Sequence, residues 1–117
     1  MNADALFEVM LEGAQRIIGG EGISQASSPN GETFVFRNAG LEIVGVLQVL
    51  KSGEFVIAVR SDSRRQGIAT ALLDAGQPDF SMSTYSRDGQ KLIDAYRKNR
   101  GIPASNHPEF VRQQAPY

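Results

Sequence analysis

"SDSRRQGIATALL", residues 61–73, is the stretch on which the reading of this chain turns. It follows an apolar run, "EFVIAV" (54–59), and opens into a pattern of helical period. From Gly67 to Ala75 the residues Ile68, Ala71, Leu72 and Ala75 share one side of a helix. Gly76 and Pro78 are its stop signals. The junction between strand and helix carries Arg64, Arg65, Gln66 and Gly67. It is either an ordinary turn or a cradle for a phosphate-bearing ligand.

Working back from the junction, "EFVIAVR" (54–60), "LEIVGVLQVL" (41–50) and "ETFVFR" (32–37) read as three strands. "KSG" and "NAG" join them as tight turns, so an antiparallel meander is expected. The strand at 54–60 is apolar on both faces, which suits a central position. "SQASSPNGE" before the meander reads as a polar turn region. Residues 3–18 fit an amphipathic helix with Leu6, Val9, Met10, Ala14, Ile17 and Ile18 as its apolar side, Asn2 as cap and Gly19-Gly20 as stop. Forward of the junction, "DFSMST" (79–84) reads as a short strand parallel to 54–60. A helix over 87–99, capped by Ser86, follows, with a weakly marked strand at 109–113. The fold class is α/β, more strictly α+β: a mixed, mostly antiparallel central sheet flanked by helices, in a single domain over residues 1–117.

Composition narrows the function classes. The chain has 117 residues, 41% hydrophobic and 21% charged, as in a globular domain. It has no cysteine and a single histidine, His107, so no metal site is expected. No apolar run approaches the ~20 residues of a membrane span, and the N-terminus lacks a signal-peptide pattern, so a cytoplasmic protein is expected. Net charge is -1, which gives no general attraction to nucleic acid. Charge is uneven: residues 1–54 hold seven acidic and three basic side chains, and residues 86–112 hold six basic and three acidic. The C-terminal half is the better host for an anion, although a solvated helix face near 87–100 explains the same pattern.

The first N–H groups of a helix lack intrahelical partners, and the helix dipole adds positive potential there. A pyrophosphate fits such a place. Gly67 lets the backbone approach without a Cβ, Ala69 keeps the second approach small, Thr70 adds a hydroxyl, and Arg64 and Arg65 raise the potential. The stretch is neither a P-loop nor a G-x-G-x-x-G dinucleotide turn.

Arg64-Arg65-Gln66-Gly67-Ile68-Ala69 resembles the Q/R-x-x-G-x-G/A signature of the GNAT superfamily of N-acetyltransferases. "RRQGIATALL" is similar to the acetyl-CoA loop of many members, aminoglycoside acetyltransferases among them, and Val59 stands at the valine of the family's fourth strand. About 15 residues match specifically, and the element order extends the similarity over roughly 32–102. The resemblance implies acetyl-CoA as co-substrate, its pyrophosphate held by backbone N–H groups from Arg64 to Thr70, with Val59 and Arg60 beside it. It implies that pantetheine lies where the family's fourth and fifth strands splay apart, here 54–60 and 79–84. It also implies that the Val59 N–H polarises the acetyl carbonyl while an amine attacks directly.

An alkylammonium with pKa ~10.4 is about one part in 10³ neutral at pH 7, so its deprotonation costs roughly 4–5 kcal/mol and a base helps. The leaving thiolate needs a proton, for which a tyrosine is suited. The family's tyrosine corresponds to Tyr96, with Tyr85 as second choice. The tyrosine-to-glycine spacing is five here rather than four, Ile102 replaces the usual aromatic, and the asparagine that often opens this helix is not evident. Tyr96 as an apolar-face core residue is the alternative. Glu54 is the candidate base and Glu42 the next; both also suit solvent-facing strand positions. Arg97, Lys98 and Arg100 are candidates for the 3′-phosphate or a solvated face.

The resemblance implies an acetyl-CoA-dependent N-acetyltransferase acting on a primary amine. The short chain points to a protein acceptor, a lysine or an N-terminus, and the acidic N-terminal half also suits a cationic small molecule. The alternative is a catalytically weak or inactive scaffold of the same fold, serving as a binding, inhibitory or structural protein. Neither nucleic acid nor membrane is an expected partner, and the protein is expected to be a monomer or a homodimer.

Overall fold

A computed structural model describes residues 3–64, 66–78 and 87–99. The chain divides into two compact units, residues 1–78 and 79–117. In the first, helix α1 (Ala3–Ala14) precedes four strands, β1 (Gly22–Ser28), β2 (Gly31–Arg37), β3 (Ile43–Leu50) and β4 (Phe55–Val59). A 3₁₀ turn at Ser61–Ser63 then leads to helix α2 (Ile68–Gly76). The second unit contributes helix α3 (Arg87–Asn99). Among the described residues the first unit is a mixed α+β arrangement around a four-stranded sheet of order β1-β2-β3-β4 in which every neighbouring pair is antiparallel.

The meander at β2, β3 and β4 forms as the alternation of apolar residues and the short turns require. Strand side chains alternate between faces, and residues opposite each other across a pair share a face. Phe34, Leu47 and Ile57 therefore lie on one side, and Val35, Val46 and Ala58 on the other. The second side carries α1. Phe7, Ala14 and Ile17 are buried in one cluster with Val35, Val46 and Ala58, with Leu6, Met10 and Leu11 packed against it. The first side carries α2, whose Ile68, Leu72 and Leu73 are buried. A Cβ on Gly45 of β3 would lie 2.7 Å from Ile68 Cγ2 and 2.9 Å from Leu72 Cδ1. The absence of a side chain at Gly45 is what lets the start of α2 seat directly on β3.

Several boundaries differ from the sequence reading. "SQASS" belongs to a strand, β1, which pairs with β2 from Gly22–Arg37 to Ser28–Gly31. Apart from Ile23 and Ala26 its side chains are polar or absent, and four of its seven residues are exposed, so it carries no apolar alternation; backbone pairing with β2 makes it a strand. Helix α1 ends at Ala14, four residues short of the expected 18. Ile17 still packs in the core, but Ile18 points to solvent, 94% exposed, and Val9 is 58% exposed. Arg37 of β2 ties down the chain after this helix: its buried guanidinium donates from Nη2 to the Ile17 carbonyl, three residues past Ala14.

The segment before β3 is a turn over Asn38–Glu42. Asn38 accepts from the Leu41 N–H through its carbonyl (2.9 Å) and from the Glu42 N–H through its side chain (3.0 Å). Leu41 adopts φ +67°, so the strand starts at Ile43 rather than 41. Gly76 is the last residue of α2, not its stop. A Cβ there would lie 2.5 Å from Leu47 Cδ2, so glycine serves close packing. The left-handed cap is Gln77 (φ +45°), whose N–H donates to the Leu73 carbonyl at 2.9 Å. The expected strands at 79–84 and 109–113 lie outside the described residues, as do Arg65, Tyr85, Arg100 and His107.

Candidate functional site

The hydrogen-bond phase of β4 determines what its residues can offer a ligand. The Leu50 N–H donates to the Glu54 carbonyl at 2.8 Å, and the Arg60 N–H donates to the Val44 carbonyl at 2.8 Å. In an antiparallel pair the bonded residues alternate. The even-numbered residues of β4 therefore turn their backbone groups toward β3. Ile57 and Val59 turn theirs the opposite way, off the β4 edge. The Val59 N–H is thus aimed outward, where β4 is the last strand among the described residues.

Immediately beyond, the chain makes the 3₁₀ turn and reaches Gly67, which caps α2 in the left-handed conformation (φ +79°, ψ 6°). Glycine enters this region without steric penalty. The first intrahelical bond is from the Ala71 N–H to the Gly67 carbonyl, 3.0 Å. The N–H groups of Ile68, Ala69 and Thr70 precede it and have no partner inside the helix. No side chain caps them, and a Cβ built on Gly67 would meet nothing within 4 Å. Ile68 is buried and anchors the turn, while Ala69 and Thr70 are half-buried.

Gly45 places the two sets of donors side by side. It is the register partner of Val59, and its non-bonded pair geometry brings the two Cα atoms to about 4.5 Å. The same glycine is covered by Ile68. The outward Val59 N–H and the opening turn of α2 therefore flank one residue of β3.

Arg60, Asp62 and Arg64, the charged side chains described at the junction, are all paired. Arg60 Nε donates to Asp62 Oδ1 at 2.6 Å and Arg60 Nη1 to Glu42 Oε2 at 3.3 Å. The Arg60 hydrogen bond, aided by one from Ser63 Oγ at 3.0 Å, holds the Asp62 carboxyl below the usual carboxylate range. The Asp62 hydrogen bond in turn raises the Arg60 guanidinium above its ordinary value. Arg64 folds back over the strand end. Its Nε donates to the Val59 carbonyl at 3.2 Å and its Nη2 to Asp4 in the first turn of α1 at 2.8 Å. Arg60 and Arg64 thus tie the turn to its surroundings, and among the described residues the uncapped N–H groups at the start of α2 and the exposed Gln66 are left for a ligand.

The sequence-derived base lies apart from the strand-to-helix junction. Glu54 is exposed at the far end of β4, with its N–H donating to Ser52 Oγ at 3.3 Å. Five residues of strand separate it from Val59, roughly 17 Å. Glu42, in the turn before β3, is the carboxylate tied to Arg60, next in the chain to Val59. Tyr96 is buried on α3 together with Ile93 and Arg97, while Lys98 is exposed. The phase of β4 and the Asp4–Arg64 pair were not legible as sequence signals; both depend on contacts between distant segments.

No family model, curated protein or solved structure matches this chain. Among the described residues no helix is long and apolar enough to cross a membrane.

Proposed function

We propose that this protein is a compact acetyl-CoA-dependent N-acetyltransferase of the GNAT type, passing an acetyl group directly to a primary amine of a protein. The observation that carries the reading is the outward Val59 N–H set beside a helix start whose first N–H groups are uncapped and reached through a left-handed Gly67. The residues fit the co-substrate. The backbone from Gly67 to Thr70 offers convergent donors and a favourable dipole for a pyrophosphate, with no Cβ on Gly67 to exclude it. Along β4, the last strand among the described residues, the Ile57 backbone groups and the Val59 N–H face away from β3 and suit an extended chain carrying amides.

When bound, acetyl-CoA supplies an activated thioester. The Val59 N–H then acts as a single donor to the carbonyl oxygen as negative charge grows on it. The C–N bond forms as the C–S bond breaks. The amine loses a proton, and the sulfur gains one. Glu42 is the carboxylate nearer the Val59 end of the sheet, whereas a base at Glu54 would work only through a water relay. Arg64 has a positioning role in this scheme, holding the Val59 carbonyl and α1 rather than the phosphates.

The test combines acetyl-CoA binding by calorimetry with thiol release over a panel of peptide and small amines. Wild type should bind and release thiol. Gly67→Ala introduces a Cβ at a left-handed position, a strain of about 1–2 kcal/mol, and places a methyl on the approach path. It should weaken acetyl-CoA at least roughly tenfold with the far-UV spectrum retained. Unaltered affinity in this variant would remove the loop assignment. Binding without turnover on any acceptor would favour the scaffold reading.

A further inference from the structure

Among the described residues the sheet ends on its other side at β1, an edge that the proposed activity does not use. The Lys51 N–H donates to the Asn30 carbonyl at 3.1 Å, which sets the phase of the β2–β3 pair. Even-numbered residues of β2 turn their backbone groups toward β3, and Thr33, Val35 and Arg37 turn theirs toward β1. Through the β1–β2 register, Ser24 and Ala26 are bonded inward, opposite Val35 and Thr33. Ile23, Gln25 and Ser27 therefore direct their N–H and C=O groups away from the sheet, and all three residues are exposed.

Edge strands are ordinarily guarded by lysines, prolines, bulges or a covering element. Strand β1, "GISQASS", contains no charge and no proline, and its pairing with β2 runs without a register break. Such an edge can accept another strand.

The geometry points to a second copy of this chain as that strand: β1 pairs antiparallel with β1 of the second copy about a two-fold axis through Gln25, extending the sheet across both copies. The outward-directed residues then meet only one another. Gln25 faces the second copy's Gln25, and Ile23 faces the second copy's Ser27. Each is a narrow pair that exchanges two backbone bonds. An uncharged strand can face itself without like-charge contacts, and a net charge of -1 gives little repulsion between copies. The arrangement is isologous, so it closes at two copies. The half-exposed Ile23 gains cover, but an edge-to-edge contact buries less than a standard interface, so assembly belongs at micromolar rather than nanomolar protein.

Sedimentation equilibrium of the full chain, without any ligand, tests this across a protein dilution series. Wild type should pass from dimer to monomer on dilution. Gln25→Pro removes the outward N–H at the axis while leaving the β2 bonds in place, since the Gln25 N–H is not part of that ladder. Gln25→Lys sets two cations against each other at the axis. Each should weaken the dimer at least roughly tenfold, the lysine variant less so in high salt. Val9→Glu, on the exposed side of α1, should leave the dimer intact. Circular dichroism identifies any variant that fails to fold, and the lysine variant retains the test if the proline variant does. The inference is overturned if wild type is monomeric throughout, if folded Gln25 variants dimerise like wild type, or if Val9→Glu alone dissociates it. No acetyl-CoA is present, so either result leaves the enzymatic reading untouched.

Discussion

Gly45→Ala probes the contact that joins the sheet to the proposed cofactor loop. The new methyl carbon would stand 2.7 Å from Ile68 Cγ2 and 2.9 Å from Leu72 Cδ1, where ordinary contact begins at 3.4 Å. Both neighbours are tips of buried side chains, Ile68 at 5% and Leu72 at 0% exposure, so neither can swing into solvent. Overpacking of this kind costs about 1–3 kcal/mol. Replacing glycine inside a strand returns roughly 0.5–1 kcal/mol through the unfolded chain. The net expectation is a loss of about 1–2 kcal/mol. With a urea m-value of about 1.5 kcal/mol/M, the unfolding midpoint falls by about 1 M. Gly13→Ala in α1 is the matched control, because a Cβ there meets nothing within 4 Å. It should gain about 0.5–1 kcal/mol from helix propensity. If Gly45→Ala were as stable as wild type, or gained stability as Gly13→Ala should, the close seating of α2 on β3 would be wrong. The side-by-side placement of the Val59 N–H and the α2 start would go with it.

Three further outcomes follow from single contacts. Leu72→Ala empties a fully buried position under α2 and should cost about 2–5 kcal/mol in the same urea assay, the lower end if the helix can settle toward β3. Leu41→Gly relieves a left-handed, exposed leucine and should raise stability by up to about 1 kcal/mol, read as a higher thermal midpoint. Asp62 has a carboxyl lowered by Arg60, so its contribution is present above its unfolded pKa and is lost as pH falls through the lower folded value. Asp62→Asn should therefore flatten the acid limb of the stability profile below about pH 4 and leave its slope at neutral pH unaltered, an effect that shrinks with added salt.

The elements with a strong local code were legible in the sequence. The meander of β2, β3 and β4 follows from apolar alternation between Gly- and Asn-bearing turns, and α2 and α3 follow from helical period. The same code pointed to the junction at 61–73, because a left-handed glycine before a helix is written into local residues. It misjudged β1, whose mostly polar residues carry no apolar alternation and whose strand state comes from bonds to β2. It extended α1 through Ile18, since periodicity does not register the Arg37 side chain arriving at the Ile17 carbonyl from another strand.

By itself, then, the sequence determined the order of most elements and the strand-to-helix junction with its glycine, because propensity, turn chemistry and glycine placement act over a few residues. The tertiary structure decided which backbone donors face outward on β4 and that Arg60 and Arg64 are spent on Glu42, Asp62 and Asp4. Pairing phase and ion-pair partners are set by segments distant in sequence, such as those of Asp4 and Arg64, 60 positions apart, and are fixed only when those segments pack.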